Sequence, residues 1–371
     1  MSIGSEEKEA VLRVMERGIL SGYQGNWSDA FWGGPEVKAL EKEWAEYFGV
    51  KHAIAVNSAT SGLWAACAAV GLKPPTTELW EGSYRLIESE AYDEVICTPY
   101  SMTCSASIPL HFGAKPIFAD IERDYYCLDP KSIEERITER TKAIIVVDLF
   151  GQPYDADAIN AIAKKHGIVV IEDAAQAIGA KYKGRYAGTL GDIGVFSLNR
   201  HKHIQCGEGG VVVTDSDELA MKVRLLANHS EAVMNGAVEN NSARIHFNWN
   251  FEPYISLIGF NLRMTELQAA IAREQLKKLE VILKTVRNHE DCFNVKVRPE
   301  CKHAFYRYAQ TIPINKAATP EYIKKFNIKQ HYITPLYKMP LFQALGYQDG
   351  LCPVCEEVEE NIVLAWLKET P

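Results

Sequence analysis

The sequence predicts an α/β fold, on three observations. Short β-rich runs alternate with helical patterns over most of the chain. The residues best suited to chemistry, Thr60, Met102, Asp173 and Ser197, fall just beyond the ends of those runs. A length of 371 residues with 47% hydrophobic and 24% charged composition supports a large domain plus a smaller one. Such alternation implies a mostly parallel sheet covered by helices on both faces, with ligands bound at the carboxyl ends of its strands.

The elements follow in order. Ala10, Val11, Val14 and Met15 at helical spacing predict a short amphipathic helix over 6–20. The Gly- and aromatic-rich stretch 22–35 reads as a loop, and 36–47 as a helix. Strands are expected at 53–56, 94–97, 116–119, 143–147 and 169–171, with helices at 60–71, 103–112, 130–138 and 155–166 between them. A strand at 210–214, a helix at 216–230 and a polar, Asn-rich loop at 235–250 come next. A long helix over 265–287 leads to a β-like run at 304–312 and a final helix at 356–368. The expected division is 1–285, an N-terminal arm with the large domain, and 286–371, a small α+β C-terminal domain.

A formal net charge of −8 without a basic block excludes a nucleic-acid partner. The polar, acidic start Met1–Glu9 is unlike a signal peptide, and no run approaches the roughly 18 apolar residues of a membrane span. The expectation is a soluble, cytoplasmic protein with no membrane partner. Nine cysteines without regular spacing suit a reducing compartment. Cys352-Pro353-Val354-Cys355 lacks a second pair or a nearby His pair, so it reads as packed thiols and no metal is expected.

Lys202 lies in the run Ser197-Leu198-Asn199-Arg200-His201-Lys202-His203-Ile204-Gln205-Cys206-Gly207-Glu208-Gly209-Gly210, downstream of Asp173 at an apolar strand end. Upstream, Thr60 with the backbone N–H groups of Ala59 and Ser61 opens a helix and offers donors and a favourable dipole to a phosphate. Singly, these are a surface lysine and two capping residues. Together they supply what pyridoxal 5′-phosphate requires: a lysine for its aldehyde, a carboxylate that keeps its ring nitrogen protonated, and a phosphate cradle.

Four segments carry a resemblance to a known family: Gly34-Pro35-Glu36-Val37, Ala55-Val56-Asn57-Ser58-Ala59-Thr60-Ser61-Gly62, Glu172-Asp173-Ala174-Ala175-Gln176, and Gly259-Phe260-Asn261-Leu262-Arg263-Met264-Thr265-Glu266-Leu267-Gln268-Ala269-Ala270. They resemble the sugar aminotransferases of the DegT/DnrJ/EryC1/StrS family, fold-type I pyridoxal-phosphate enzymes with a seven-stranded type of sheet. The resemblance covers roughly residues 20 to 285 strongly. It implies that Lys202 bonds the aldehyde and shuttles a proton, with Asp173 on the ring nitrogen. Related dehydratases carry histidine in place of this lysine; counting five from Ser197 and five back from Gly207 both reach Lys202. Ser197 is implied at the phosphate, Gln176 at the ring's 3-oxygen, and Asn261 at the phosphate of a neighbouring subunit, hence a homodimer with shared sites. Met102 aligns with the aromatic residue that usually covers the ring, for which Tyr100 is an alternative, and His331 matches a histidine near the substrate.

The function implied is transfer of an amino group from glutamate to a keto-sugar, most often nucleotide-linked, in surface-polysaccharide, lipopolysaccharide or specialised-metabolite biosynthesis. A free keto-sugar or cyclitol acceptor is the alternative within catalysis. A cofactor-binding partner protein without turnover is a third reading, favoured by Met102 and opposed by Lys202 and Asp173. Two departures bear on substrate: the insertion Pro75–Ala91, and the shortened passage from Pro320 to Leu336.

Overall fold

The computed structural model describes residues 3–72, 77–80, 83–86, 92–234, 254, 257–289, 293–311, 326–330 and 332–367. His331, the Asn-rich loop 235–250 and parts of the 75–91 insertion lie outside the described residues. The chain divides into two compact units, the first formed by Met1–Ala69, Asp192–Thr285 and Glu369–Pro371, the second by Val70–Gly191 and Val286–Lys368.

In chain order the first unit begins with α1 (Ser5–Arg17), α2 (Pro35–Phe48), β1 (His52–Val56) and α3 (Ala59–Ala69). Pro35 at the first position of α2 gives up an N–H that no helix would use there. The second unit then runs through the hairpin β2 (Thr77–Trp80) and β3 (Ser83–Leu86), which occupies the insertion, to β4 (Glu94–Cys97) and α4 (Cys104–Ser107). It continues with β5 (Lys115–Phe118), α5 (Pro130–Glu134), β6 (Thr141–Val147), α6 (Ala156–His166), β7 (Val169–Asp173), β8 (Lys181–Tyr182) and β9 (Arg185–Tyr186). Asp155 caps α6 by accepting from the Ala158 N–H.

Returning to the first unit, the chain forms β10 (Ile193–Ser197), β11 (Gly210–Thr214), α7 (Asp217–Ala227) and α8 (Glu231–Met234), and α9 (Glu266–Arg287) runs on across its end. The second unit closes with β12 (Cys301–Lys302), β13 (Tyr308–Thr311), β14 (Phe326–Gln330), α10 (Pro340–Ala344), α11 (Pro353–Asn361) and β15 (Ile362–Leu367). No helix among the described residues is long and apolar enough to cross a membrane.

The architecture is α/β with a mainly parallel central sheet, as expected. In the second unit β5, β4, β6 and β7 are neighbours in that order and all parallel, with Val147 opposite Asp173. Their core, including Ile96, Ile144, Val146, Ile159 and Val170, is the apolar face that α6 and the sheet share. The first unit holds an antiparallel set instead: β11 pairs with β1 on one side and β10 on the other.

One expected helix is in part a strand. The predicted final helix 356–368 ends at Asn361, and Ile362–Leu367 is a strand paired with both β13 and β14. The segment Ile-Val-Leu-Ala-Trp-Leu is apolar throughout, and Ile362, Val363, Leu364 and Ala365 are all buried, which suits a central strand and not one stripe of a surface helix. The Cys352 and Cys355 thiols are buried and unbridged at the start of α11, where the Asp120 carboxylate accepts the N–H groups of Val354 and Cys355. Burial, then the Asp120 charge, pushes the Cys352 thiol up to about 12, so it stays protonated.

Candidate active site

The first unit brings together a helix N-terminus, a hydroxyl and a lysine. Ser58 caps α3: its Oγ accepts the Ser61 N–H at 3.1 Å. Among the described residues the N–H groups of Ala59 and Thr60 meet no acceptor, and Thr60 is exposed. Gly210 lies against this turn so closely that a Cβ there would fall 2.7 Å from the Ala59 nitrogen. The same glycine faces Val56 across one strand pair and Ser197 across the other. β11 thus sets Ser197 beside the open end of α3, and only glycine permits the approach.

Ser197, buried at the end of β10, accepts the Asn199 N–H at 3.3 Å. Lys202 sits on the connection from β10 to β11, a tight excursion closed by the bonds Leu198 N–H to Gly209 O, Cys206 N–H to Leu198 O and Arg200 N–H to Gly207 O. Its own N–H donates to Asn199 O at 2.8 Å. The far rim is tied to α9: the Gln205 N–H donates to Gln275 Oε1, and Gln268 Nε2 donates to Glu208 O. Gln275 in turn donates to Glu7 on α1 at 2.8 Å. Burial opposes ionisation of Glu7, yet the Lys278 ammonium, Gln275 and the Gly4 N–H outweigh it and hold its carboxyl at about 2.

Asn261 borders the same turn. Its carbonyl accepts from Asn57 Nδ2, and the Asn57 N–H donates to Leu262 O. Arg263 Nε donates to Asn261 Oδ1 at 3.0 Å, so the amide is oriented by its own chain.

The second unit holds a buried carboxylate of its own. Asp173 ends β7 and is 4% exposed. Its Oδ2 accepts from Ser105 Oγ at 3.0 Å and its Oδ1 from the Ala175 N–H at 3.1 Å. The neighbouring Glu172 accepts the N–H groups of Gly188, Leu190 and Gly191, which pins the strand end on its other side. Asp148, whose N–H donates to Asp173 O, is fully buried. Burial and then the Glu172 charge push its carboxyl well above the usual range.

Gln176 is likewise locked in the second unit. Its Oε1 accepts the Phe150 N–H at 2.9 Å, and its Nε2 donates to the Tyr332 hydroxyl at 3.3 Å. Phe150 packs edge-on against Tyr332, at 5.1 Å between ring centres, and Tyr100 does so at 5.8 Å. Met102 is 63% exposed, the largest apolar side chain presented by the loop after β4, whereas Tyr100 is fully buried.

The structure therefore gathers Ala59, Thr60, Ser197, Lys202 and Asn261 within one unit and Met102, Asp173 and Gln176 within the other. Sequence reasoning missed Ser105 and Gln275. Ser101 and Ser105, four residues apart, bond each other at 3.4 Å, a helical-spacing signal the sequence does contain. Gln275, 70 residues from Gln205, carries no local signal.

Comparison with known proteins bears on the chain as a whole. The profile of the DegT/DnrJ/EryC1/StrS aminotransferase family matches residues 20–368. The chain is 33% identical over 372 residues to the spore coat polysaccharide biosynthesis protein SpsC of Bacillus subtilis, covering 95% of this chain and 86% of SpsC. It superposes on the aminotransferase from Psychrobacter cryohalolentis with a TM-score of 0.78 at 28% identity, over 98% of this chain and 91% of that one. The match to DesV of S. venezuelae, solved in complex with a ketimine intermediate, has a TM-score of 0.76 at 26% identity over 97% and 88% of the two chains. The chain belongs to the DegT/DnrJ/EryC1/StrS aminotransferase family, whose members are pyridoxal-phosphate-dependent enzymes of sugar amination.

Proposed function

We propose that this enzyme moves an amino group from glutamate to a nucleotide-linked keto-sugar, in the assembly of surface glycans or specialised metabolites. The observation that carries the reading is the placement of Lys202 on a tied-down loop whose base, Ser197 and Gly210, abuts the open N-terminus of α3. The likeness to SpsC, a polysaccharide biosynthesis protein, supports a sugar acceptor.

The residues present fit the cofactor. The N–H groups of Ala59 and Thr60 and the Ser197 hydroxyl suit a phosphate dianion, and the Gly210 contact leaves that cradle open. When bound, pyridoxal phosphate supplies an aldehyde for covalent attachment and a ring that accepts electrons. In our reading Lys202 takes the aldehyde and, when released, moves the proton at the donor's α-carbon. Asp173, anchored by Ser105, would hold a proton on the ring nitrogen. Gln176 would meet the ring's 3-oxygen, and Met102 would cover the ring face with a polarizable but less constraining thioether.

We further take the enzyme to be a homodimer in which Asn261 serves the partner subunit's phosphate. Mixed dimers of Lys202→Ala and a crippling Asn261 variant should recover activity up to one native site per dimer. If verified mixed dimers regain nothing, Asn261 acts within its own chain.

The function itself is tested by supplying purified holoenzyme with glutamate and a panel of nucleotide-linked and free keto-sugars or cyclitols. Amination of a nucleotide-linked member is expected. Turnover confined to free acceptors would replace the first reading with the second, and no turnover on any acceptor would overturn both.

A further inference from the structure

Arg307 has no place in that reading, yet the second unit ties it to the Gln176 side chain through both main-chain groups of Phe150. Gln176 Oε1 accepts the Phe150 N–H, and Phe150 O accepts the Arg307 N–H at 3.1 Å. Phe150 is held at φ 59°, a left-handed conformation that a phenylalanine adopts only under constraint, and it turns the main chain so that both bonds form.

The Arg307 guanidinium is half-buried among aromatic rings, 4.1 Å from the ring centre of Tyr306 and 5.1 Å from that of Trp366. It donates to Tyr306 O at 2.7 Å and to the Tyr306 hydroxyl at 3.4 Å. It forms no ion pair among the described residues, whereas Arg123, Arg140 and Arg298 in the same unit each meet a carboxylate. Its charge also reaches Tyr332: burial raises that hydroxyl to about 12, with the Gln176 bond and Arg307 opposing the rise. A stacked guanidinium presenting spare N–H groups in a fixed plane is suited to receiving a carboxylate by paired hydrogen bonds.

We infer that Arg307 receives the α-carboxylate of the amino donor. This rests on the reading that Gln176 lies at the cofactor ring. In an amino-acid donor the carboxylate is bonded directly to the reacting α-carbon, so the group that receives it must stand close to the ring-contacting residues, as Arg307 does. A phosphate on the sugar is the other anion of the reaction, and the experiment separates the two.

The test compares wild-type holoenzyme with Arg307→Gln and Arg307→Lys in three measurements. Calorimetric titration with 2-oxoglutarate reads carboxylate affinity without turnover. The two half-reactions are followed separately by absorbance, the first with glutamate and then alanine, the second with keto-sugar added to the amino-loaded enzyme. For Arg307→Gln the dissociation constant for 2-oxoglutarate should rise at least tenfold, and kcat/KM should fall comparably for both amino acids, since both carry the α-carboxylate. The keto-sugar half-reaction should change less than twofold. Arg307→Lys should recover part of the affinity.

Three results overturn the inference: a loss confined to the keto-sugar step, which assigns Arg307 to a phosphate; a loss with glutamate but not alanine, which assigns it to the side-chain carboxylate; or equal losses in every measurement with weakened cofactor absorbance in both variants, which marks a structural role. If the wild type reacts with no amino donor, the proposed function fails, and the titration of 2-oxoglutarate still decides the role of Arg307.

Discussion

The end of β7 and the loop between β10 and β11 present opposite solutions to holding one reactive side chain. Asp173 is fixed from every side: strand pairing with β6, a buried serine hydroxyl on one oxygen and a backbone N–H on the other. Lys202 is carried by a loop whose rims are bonded while its own side chain remains partly exposed. The difference follows the chemistry each is proposed to do. A carboxylate that maintains a charge gains from immobility, because preorganised electrostatics need no rearrangement during reaction. A base that must bind, release and carry a proton needs a fixed anchor and a mobile end.

The largest effect should come from the lysine. Lys202→Ala is expected to lower turnover by about 10³-fold or more while leaving cofactor bound without a covalent link, since ring and phosphate contacts persist. Borohydride reduction of the native enzyme followed by peptide mapping should place the adduct on Lys202; an adduct on a different lysine would end that assignment. Next, Asp173→Asn should cut activity by roughly 10²-fold with little change in cofactor occupancy, because an amide cannot hold the ring proton. Near-normal rates would show that this carboxylate has another purpose.

Ser105→Ala tests immobility itself. Removing one hydrogen bond to a charged acceptor costs about 1.5–3 kcal/mol where it acts, so a roughly tenfold fall in kcat and a shifted pH–rate profile are expected. Unchanged kcat with lowered thermal stability would make Ser105 a packing residue only.

The loop's tether gives the smallest effect and a pH signature. Glu7 is held at about 2 in the folded chain against an ordinary 4.5, so its contribution is fully present above pH 4.5 and is lost as pH falls toward 2. That contribution amounts to at most about 3 kcal/mol. Denaturant midpoints at pH 7 and pH 3 should therefore differ less in Glu7→Gln than in the native protein, with a few-fold loss of activity at pH 7. Identical pH dependence in the two proteins would remove Glu7 from the account.

How much of this was legible depended on the range of the interactions. The parallel strands expected at 94–97, 143–147 and 169–171 could be read because each is a short β-branched run between helical patterns, and that alternation set Asp173 just beyond a strand end. Ser197 and Lys202 were legible as a spacing. The terminal strand Ile362–Leu367 was not: the helical pattern before it has no break that forbids continuation, and its partners Tyr308–Thr311 lie some fifty residues upstream. The supports of the site were hidden for the same reason. Ser105 meets Asp173 across 68 positions and Gln275 meets Gln205 across 70, where local propensity carries no information.

The relay from Gln205 through Gln275 to Glu7 has a consequence for the order in which the protein matures. As the chain leaves the ribosome, α1 and then the lysine-bearing loop are made early, but the glutamine that joins them arrives only with α9. Until that helix has emerged and packed, the nascent loop lacks its rim and the first helix lacks the partner for its buried acid. Elements made N-terminally can settle during synthesis. The lysine loop cannot, so loading of the cofactor is expected to follow translation of the long helix and not to guide the folding that precedes it.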